Sequence, residues 1–325
     1  MPSFFANNAT IAIAPPYGLP RSGKGSDAGF EKFGTLYKHC KGIHLPQAGA
    51  AIRLGTISEY RRIENDAVRD KHEGTFRISL NFPRQTRVGI INLRRATLDT
   101  SPLGAGTHDN NLRVVTFNGD YTTGCVYSTD SVTIEKRTEE DIYLSGTVNI
   151  FAEGADAYVL CLSRSNTPGS VIRDPEYNAI WSIRPGCVLG FVRDLSAHLH
   201  TFLSEGDYFS GETIGPFHAP GFSPPPQSEY LGFGISSEIW QIIYRDRTIE
   251  VKTDITEEII RDIHQSLDNS AIIKPLSFSH EEEVRVLFRP VLVDKRDGKR
   301  YLFPNYLKPA LVPFEPFLGS VNGTL

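Results

Sequence analysis

The sequence lacks several features that assign a chain to a class at once. No apolar run approaches the roughly 20 residues that cross a bilayer. The start, Met1-Pro-Ser-Phe-Phe-Ala6, has no basic segment leading into a long apolar one, so no signal peptide is expected. Neither charge dominates: 34 Lys and Arg against 38 Asp and Glu leave a net charge of -4. That balance argues against bulk DNA or RNA binding. The four cysteines, Cys40, Cys125, Cys161 and Cys187, form no Cys-x-x-Cys pair, so no zinc or thioredoxin-like motif is present. A P-loop, a dinucleotide-binding Gly-x-Gly-x-x-Gly, a Gly-x-Ser-x-Gly elbow and a His-Glu-x-x-His helix are also missing. No period of roughly 20–50 residues repeats, which speaks against a solenoid.

What is present suits a globular protein of many short strands. Apolar residues make up 40% of the chain and charged ones 22%, while 28 Gly and 21 Pro favour turns over long helices. The expectation is an α+β protein without a membrane segment, cytoplasmic and with reduced thiols. Residues 1–30 read as an irregular N-terminal arm, and 31–325 as one domain with a β-rich insertion at about 75–154. Within it, Phe76–Phe82, Arg87–Leu93, Leu112–Phe117, Ser131–Glu135 and Tyr143–Ile150 alternate as strands do. Tyr158-Val-Leu-Cys-Leu-Ser163 is apolar without alternation and reads as a strand buried on both faces, with Cys161 a buried thiol. The segment 170–205 reads as a helix and a further strand, Gly186–Val192. Thr256–Leu267 is the clearest helix, with apolar positions 259, 260, 263 and 267, Thr256 as N-cap and glutamates in its first turn.

Three stretches carry candidate chemistry. Tyr37-Lys38-His39 sets a phenol, an amine and an imidazole on one short strand. Arg53 leaves the next short strand, ahead of a helical segment from Ile57 to Glu64 rich in Arg and carboxylate. Ser58 could cap that helix, but Arg61 stands where a capping box needs Glu. Arg53 could hold a phosphate or carboxylate through two parallel bonds; equally, the segment could be a surface ion-pair helix of little energetic weight. The third stretch, Ser277-Phe-Ser-His-Glu281-Glu282-Glu283-Val-Arg285, reads as a strand. Alternation would put Glu281, Glu283 and Arg285 on one face and Glu282 on the other. The pair His198 and His200 would share a strand face, a weak metal signal; no metal is expected.

Four patches in this order resemble a broad group of uncharacterised bacterial proteins often found near phage-defence genes: Leu36-Tyr37-Lys38; Ile52-Arg53-Leu-Gly-Thr with Tyr60-Arg61-Arg62; Tyr158–Ser163; and Lys274-Pro-Leu-Ser-Phe-Ser-His-Glu281-Glu-Glu283-Val-Arg285. That arrangement is similar in turn to the ADP-ribosyltransferase fold, a split mixed or antiparallel sheet with few helices. The resemblance covers about half of the chain in separate patches and leaves 75–154 unexplained. It implies NAD as substrate. On the first strand Tyr37, Lys38 or His39 would grip the dinucleotide, Arg53 or Lys38 would face its pyrophosphate, and Tyr60 and Arg61 would count among the binding residues. Ser163 would stand at the middle-strand position. Glu283 or Glu281 would be the late-strand glutamate that stabilises positive charge on the ribose, the other being free to activate an acceptor.

The implied function is ADP-ribosyl transfer or NAD hydrolysis, with an unknown acceptor, as in a defence toxin. The alternatives are a non-enzymatic sensor or binding module that works with a protein partner, and a structural coat or appendage component. Glu282 should be dispensable.

Overall fold

The computed structural model describes residues 11–13, 34–47, 50–62, 74–96, 111–117, 121–153, 156–167, 171–172, 174–205, 209–213, 231–246, 248–251, 255–268, 270–296, 300–302 and 305–324. In chain order its strands are β1 (Ile11–Ile13), β2 (Leu36–Cys40), β3 (Ala51–Thr56), β4 (Thr75–Gly89), β5 (Asn111–Phe117), β6 (Tyr121–Arg137) and β7 (Asp141–Glu153). They continue with β8 (Tyr158–Ser163), β9 (Ala179–Ile183), β10 (Phe209–Thr213), β11 (Leu231–Gln241), β12 (Ile243–Tyr244) and β13 (Thr248–Val251). The last are β14 (Ile273–Lys274), β15 (Glu283–Asp294), β16 (Arg300–Leu302), β17 (Asn305–Leu307), β18 (Ala310–Pro313) and β19 (Val321–Thr324). The helices are α1 (Ile57–Arg62), α2 (Ile90–Ala96), α3 (Val188–Glu205) and α4 (Glu257–Asp268). Pairing is mostly antiparallel; β1 with β11, β12 with β14 and β13 with β4 are parallel. An α+β protein with few helices is what the composition led us to expect.

The principal sheet runs β1-β11-β15-β8-β2-β9-β19. Its central strand β8 forks. One edge pairs along its whole length with β15, Glu283 opposite Ser163 through Phe288 opposite Tyr158. The other edge is shared: its end at Ser163 pairs with Tyr37 of β2, while Val159 and Tyr158 pair with Gly55 and Thr56 of β3. Between these contacts β2 and β3 part company and leave a gap over Leu160–Leu162. The five strands β13-β4-β7-β6-β5 form a separate sheet, which spans the β-rich stretch.

Alternation along β8 and β15 sorts side chains onto two faces. Leu160, Leu162, Val284, Val286 and Phe288 enter the main core, covered by α3. Val159 and Leu287 enter a smaller cluster with Ile57, Trp240 and Ile272, packed against Tyr60 and Cys161. The side chains between them on that second face are polar: Ser163, Glu283 and Arg285.

Several local readings need correction. Gly186–Val192 is not a strand: Pro185–Cys187 is a 3₁₀ turn, and α3 begins at Val188. The buried positions Val188, Phe191, Val192, Leu195, Leu199 and Leu203 follow the helical period, which becomes legible only over the full 18 residues. His198 and His200 therefore sit on a helix, where a spacing of two turns side chains to different faces. His198 packs edge-on against Phe317, and His200 lies 3.3 Å from the Phe233 carbonyl oxygen. Arg87–Leu93 is half strand and half helix, because Ile90, Leu93 and Ala96 bury at helical spacing. Inside the N-terminal arm, Ile11–Ile13 pairs with Ser237–Ile239. The polar turn at 69–73, the Gly/Pro loop at 216–226 and the turn Asp297-Gly298 lie outside the described residues.

The late glutamates also differ in their backbone. Leu276–Glu281 is a 3₁₀ helix that starts after Pro275, and β15 begins only at Glu283. The kink between them is Glu282, whose φ of 45° is left-handed. Glu281 and Glu283 converge through this kink and not through strand alternation. A left-handed φ costs a residue with a Cβ about 1–2 kcal/mol. Glu282 is exposed, so Glu282→Gly is expected to stabilise the fold by about 0.5–1 kcal/mol. Urea denaturation checks this, and a destabilised variant would show that the Glu282 side chain makes contacts that matter.

Candidate functional site

Helix α1 is set by a capping box two residues earlier than the sequence suggested. Glu59 N–H donates to Thr56 Oγ1 at 3.1 Å and Thr56 N–H to Glu59 Oε2 at 3.4 Å. Ser58, read as the cap, instead donates its hydroxyl to the buried Asp156 at 2.6 Å. A Cβ on Gly55 would stand 3.1 Å from Tyr60 Cε2, so the glycine lets the Tyr60 ring lie against β3.

The fork in the sheet holds a cavity of about 200 Å³ that is partly open to solvent. Tyr37, Lys38, Arg53, Tyr60, Ser163, Glu281 and Glu283 all line it. Seven of the eight residues proposed from sequence thus meet in one cleft. The eighth, Arg61, does not line it; its guanidinium lies 6.0 Å from the Tyr306 ring centre. The other wall is apolar, with Ile52, Leu160, Leu162, Trp181 and Phe314.

The floor is a buried ionic cluster. Lys274 Nζ donates to Glu281 Oε2 at 2.6 Å and lies 2.8 Å from Glu283 Oε2. Arg285 approaches Glu283 Oε1 through both Nε and Nη2 at 3.0 Å, and its Nη1 donates to the Ala271 carbonyl. Arg285 is 1% exposed and Glu283 3%. Burial opposes the charge on Glu283, but Arg285 and Lys274 outweigh it and hold the carboxyl well below the usual range. Burial pushes Glu281 the other way, to about 7; Lys274 pulls it down and Glu283 adds to the rise.

The chain around the glutamates is clamped. Ser163 Oγ donates to the Glu281 carbonyl at 2.7 Å and accepts from Ser165 N–H at 2.9 Å. Glu283 N–H donates to Tyr244 Oη at 2.7 Å. Ser163 is therefore a positioning residue with its hydroxyl already engaged. Arg53 pairs with Glu59, and Lys38 has no ion pair among the described residues. His39 Nε2 donates to the Ser165 carbonyl at 3.0 Å, and burial lowers the imidazole pKa, so the ring is neutral. Its Nδ1 is buried with no hydrogen-bond partner among the described residues. Burial pushes the Cys161 thiol up to about 12, with Glu283 adding to the rise, which makes it a poor nucleophile.

Sequence reasoning missed Lys274 and Tyr244. The signal for Lys274 was available: one cation in Ala271-Ile-Ile-Lys274-Pro-Leu276 must find a partner when such a run is buried. Tyr244 had no such signal. Among the described residues no group of three or more His, Cys, Asp or Glu side chains could hold a metal ion, and no helix is long and apolar enough to cross a membrane. No protein-family model matches the chain, and neither a curated protein nor a solved structure matches it.

Proposed function

We propose that the cleft binds NAD and cleaves its nicotinamide–ribose bond, in a sheet that is split in the manner of the ADP-ribosyltransferases. The observation that carries this reading is the meeting of Tyr37, Lys38 and Arg53 from early strands with Glu281 from the late 3₁₀ helix and Glu283 from β15, at the fork of β8. Cleavage builds positive charge on the ribose. Glu283, kept ionised by Arg285 and Lys274, is a fixed negative charge for that transition state. Glu281, poised near neutrality, is the group able to take a proton from the acceptor. Lys38 and Arg53 supply positive charge for the pyrophosphate. The four patches of resemblance add an anti-phage defence role to this reading.

A base works only when ionised. With Glu281 at about 7, kcat/KM for NAD is expected to rise with pH through about 7 and to level off above it. The measurement is nicotinamide release across pH 5.5–8.5, a window of about 1.5 units on either side. Glu281→Gln should remove the limb along with most of the rate. NAD left intact at every pH, with no rise in melting temperature on adding it, would overturn the proposal.

A second reading, a module that binds the dinucleotide without cleaving it, is favoured by one observation: both oxygens of Glu283 already face cations. It predicts a raised melting temperature in NAD without nicotinamide release.

A further inference from the structure

We infer that the acceptor at this site is water or another small neutral hydroxyl compound, so that the protein hydrolyses NAD and does not modify a protein or nucleic acid. The inference rests on the NAD-cleaving reading and decides which acceptor that reaction uses.

Access to Glu281 is the first argument. A macromolecular acceptor needs a carboxylate that reaches the protein surface. The Glu281 side chain is 9% exposed, and the backbone around it cannot swing outward easily. Its carbonyl is held by Ser163 Oγ at 2.7 Å, the Glu282 carbonyl accepts from Arg164 N–H at 3.4 Å, and Glu283 N–H is held by Tyr244 Oη at 2.7 Å. The carboxylate that does reach solvent is Glu282, and the left-handed kink turns it away from the cluster.

Charge is the second argument. The groups that face Glu281 are Lys274 on β14, Glu283 on β15 with Arg285 behind it, and the Tyr244 phenol on β12. An incoming Arg or Lys side chain would enter a cleft that also carries Lys38, a cation with no ion pair among the described residues. Like charges held close together away from bulk water repel. A neutral acceptor meets no such barrier.

The step balances without a further reagent. The C1′–N bond to nicotinamide breaks and its electron pair returns to the ring nitrogen, which discharges the pyridinium. The oxygen of the attacking water forms the new C1′–O bond. The proton it loses passes to Glu281 and then to solvent. NAD and water give ADP-ribose, nicotinamide and one proton.

The test incubates the full chain with NAD labelled in its adenylate half, alone and with cell lysate, nucleic acid, agmatine or methanol. Free ADP-ribose should match nicotinamide mole for mole in every arm except methanol. There, a methyl ADP-riboside should grow in proportion to the alcohol at the expense of ADP-ribose. Glu281→Gln should slow both routes by about 10²–10³-fold, while Glu282→Gln leaves both unchanged. Label on protein, on nucleic acid or on agmatine, with nicotinamide still released, would overturn the acceptor assignment and leave the cleavage reading standing. Absence of nicotinamide release would overturn both.

Discussion

Glu283→Gln is expected to lower NAD turnover by about 10²–10³-fold, the usual cost of losing one electrostatic stabiliser of a transition state. The amide keeps the shape and an acceptor for Arg285 Nε but removes the one carboxylate that Arg285 and Lys274 hold ionised. The same variant should alter what activity remains. Glu283 helps to push Glu281 up, so its neutralisation should move the acid limb of the residual rate below about 7. Initial rates across pH read both effects. A variant as active as the parent would show that the cluster is architectural.

The largest effect on stability belongs to Arg285→Met. Arg285 is 1% exposed and is the largest fully buried side chain among the described residues. Methionine fills much of its volume but leaves Glu283 Oε1 facing nothing cationic and the Ala271 carbonyl without its donor. Breaking one side of a buried ion pair costs about 3–5 kcal/mol. The urea midpoint should fall accordingly with an unchanged slope. The double variant Glu283→Gln, Arg285→Met should lose much less than the sum of the two, since the charge stranded by one change is removed by the other. A loss below about 1 kcal/mol for Arg285→Met would mean that water reaches the cluster and that Glu283 is not desolvated.

The sequence carried more of the site than of the frame around it. The alternation of charged and apolar residues in Glu283-Val-Arg285-Val marks a strand with a polar and an apolar face, and the apolar run Tyr158–Ser163 marks its buried neighbour. Those two local patterns are what bring Ser163 opposite Glu283. The kink at Glu282 was not legible, because nothing about a glutamate announces a left-handed backbone; Glu281 was grouped with Glu283 for the wrong geometric reason. A helix was expected within 170–205, but the start of α3 was read as a strand in Gly186-Cys-Val-Leu-Gly-Phe-Val192, since a short apolar run fits a buried strand as well as a helix. The fork of β8 lay beyond local reasoning altogether. It depends on which distant segments share one strand edge, and no pattern within Leu36–Cys40 or Ala51–Thr56 encodes that choice.

The fork also orders events in time. Strand β8 borrows β2 and β3 from the first fifth of the chain, yet its other edge and both glutamates come from Glu281–Phe288, more than a hundred residues downstream of Ser163. Pairings of such long sequence separation form late, because loop closure precedes any gain from contact. On the ribosome, where domains assemble as they emerge, the Tyr37, Ile52 and Leu160 side of the cleft can gather early, but the ionic floor and Phe314 wait until almost the whole chain has been made. A truncated or stalled product would therefore carry only part of the wall and none of the carboxylates, and the proposed chemistry would wait until synthesis is nearly complete.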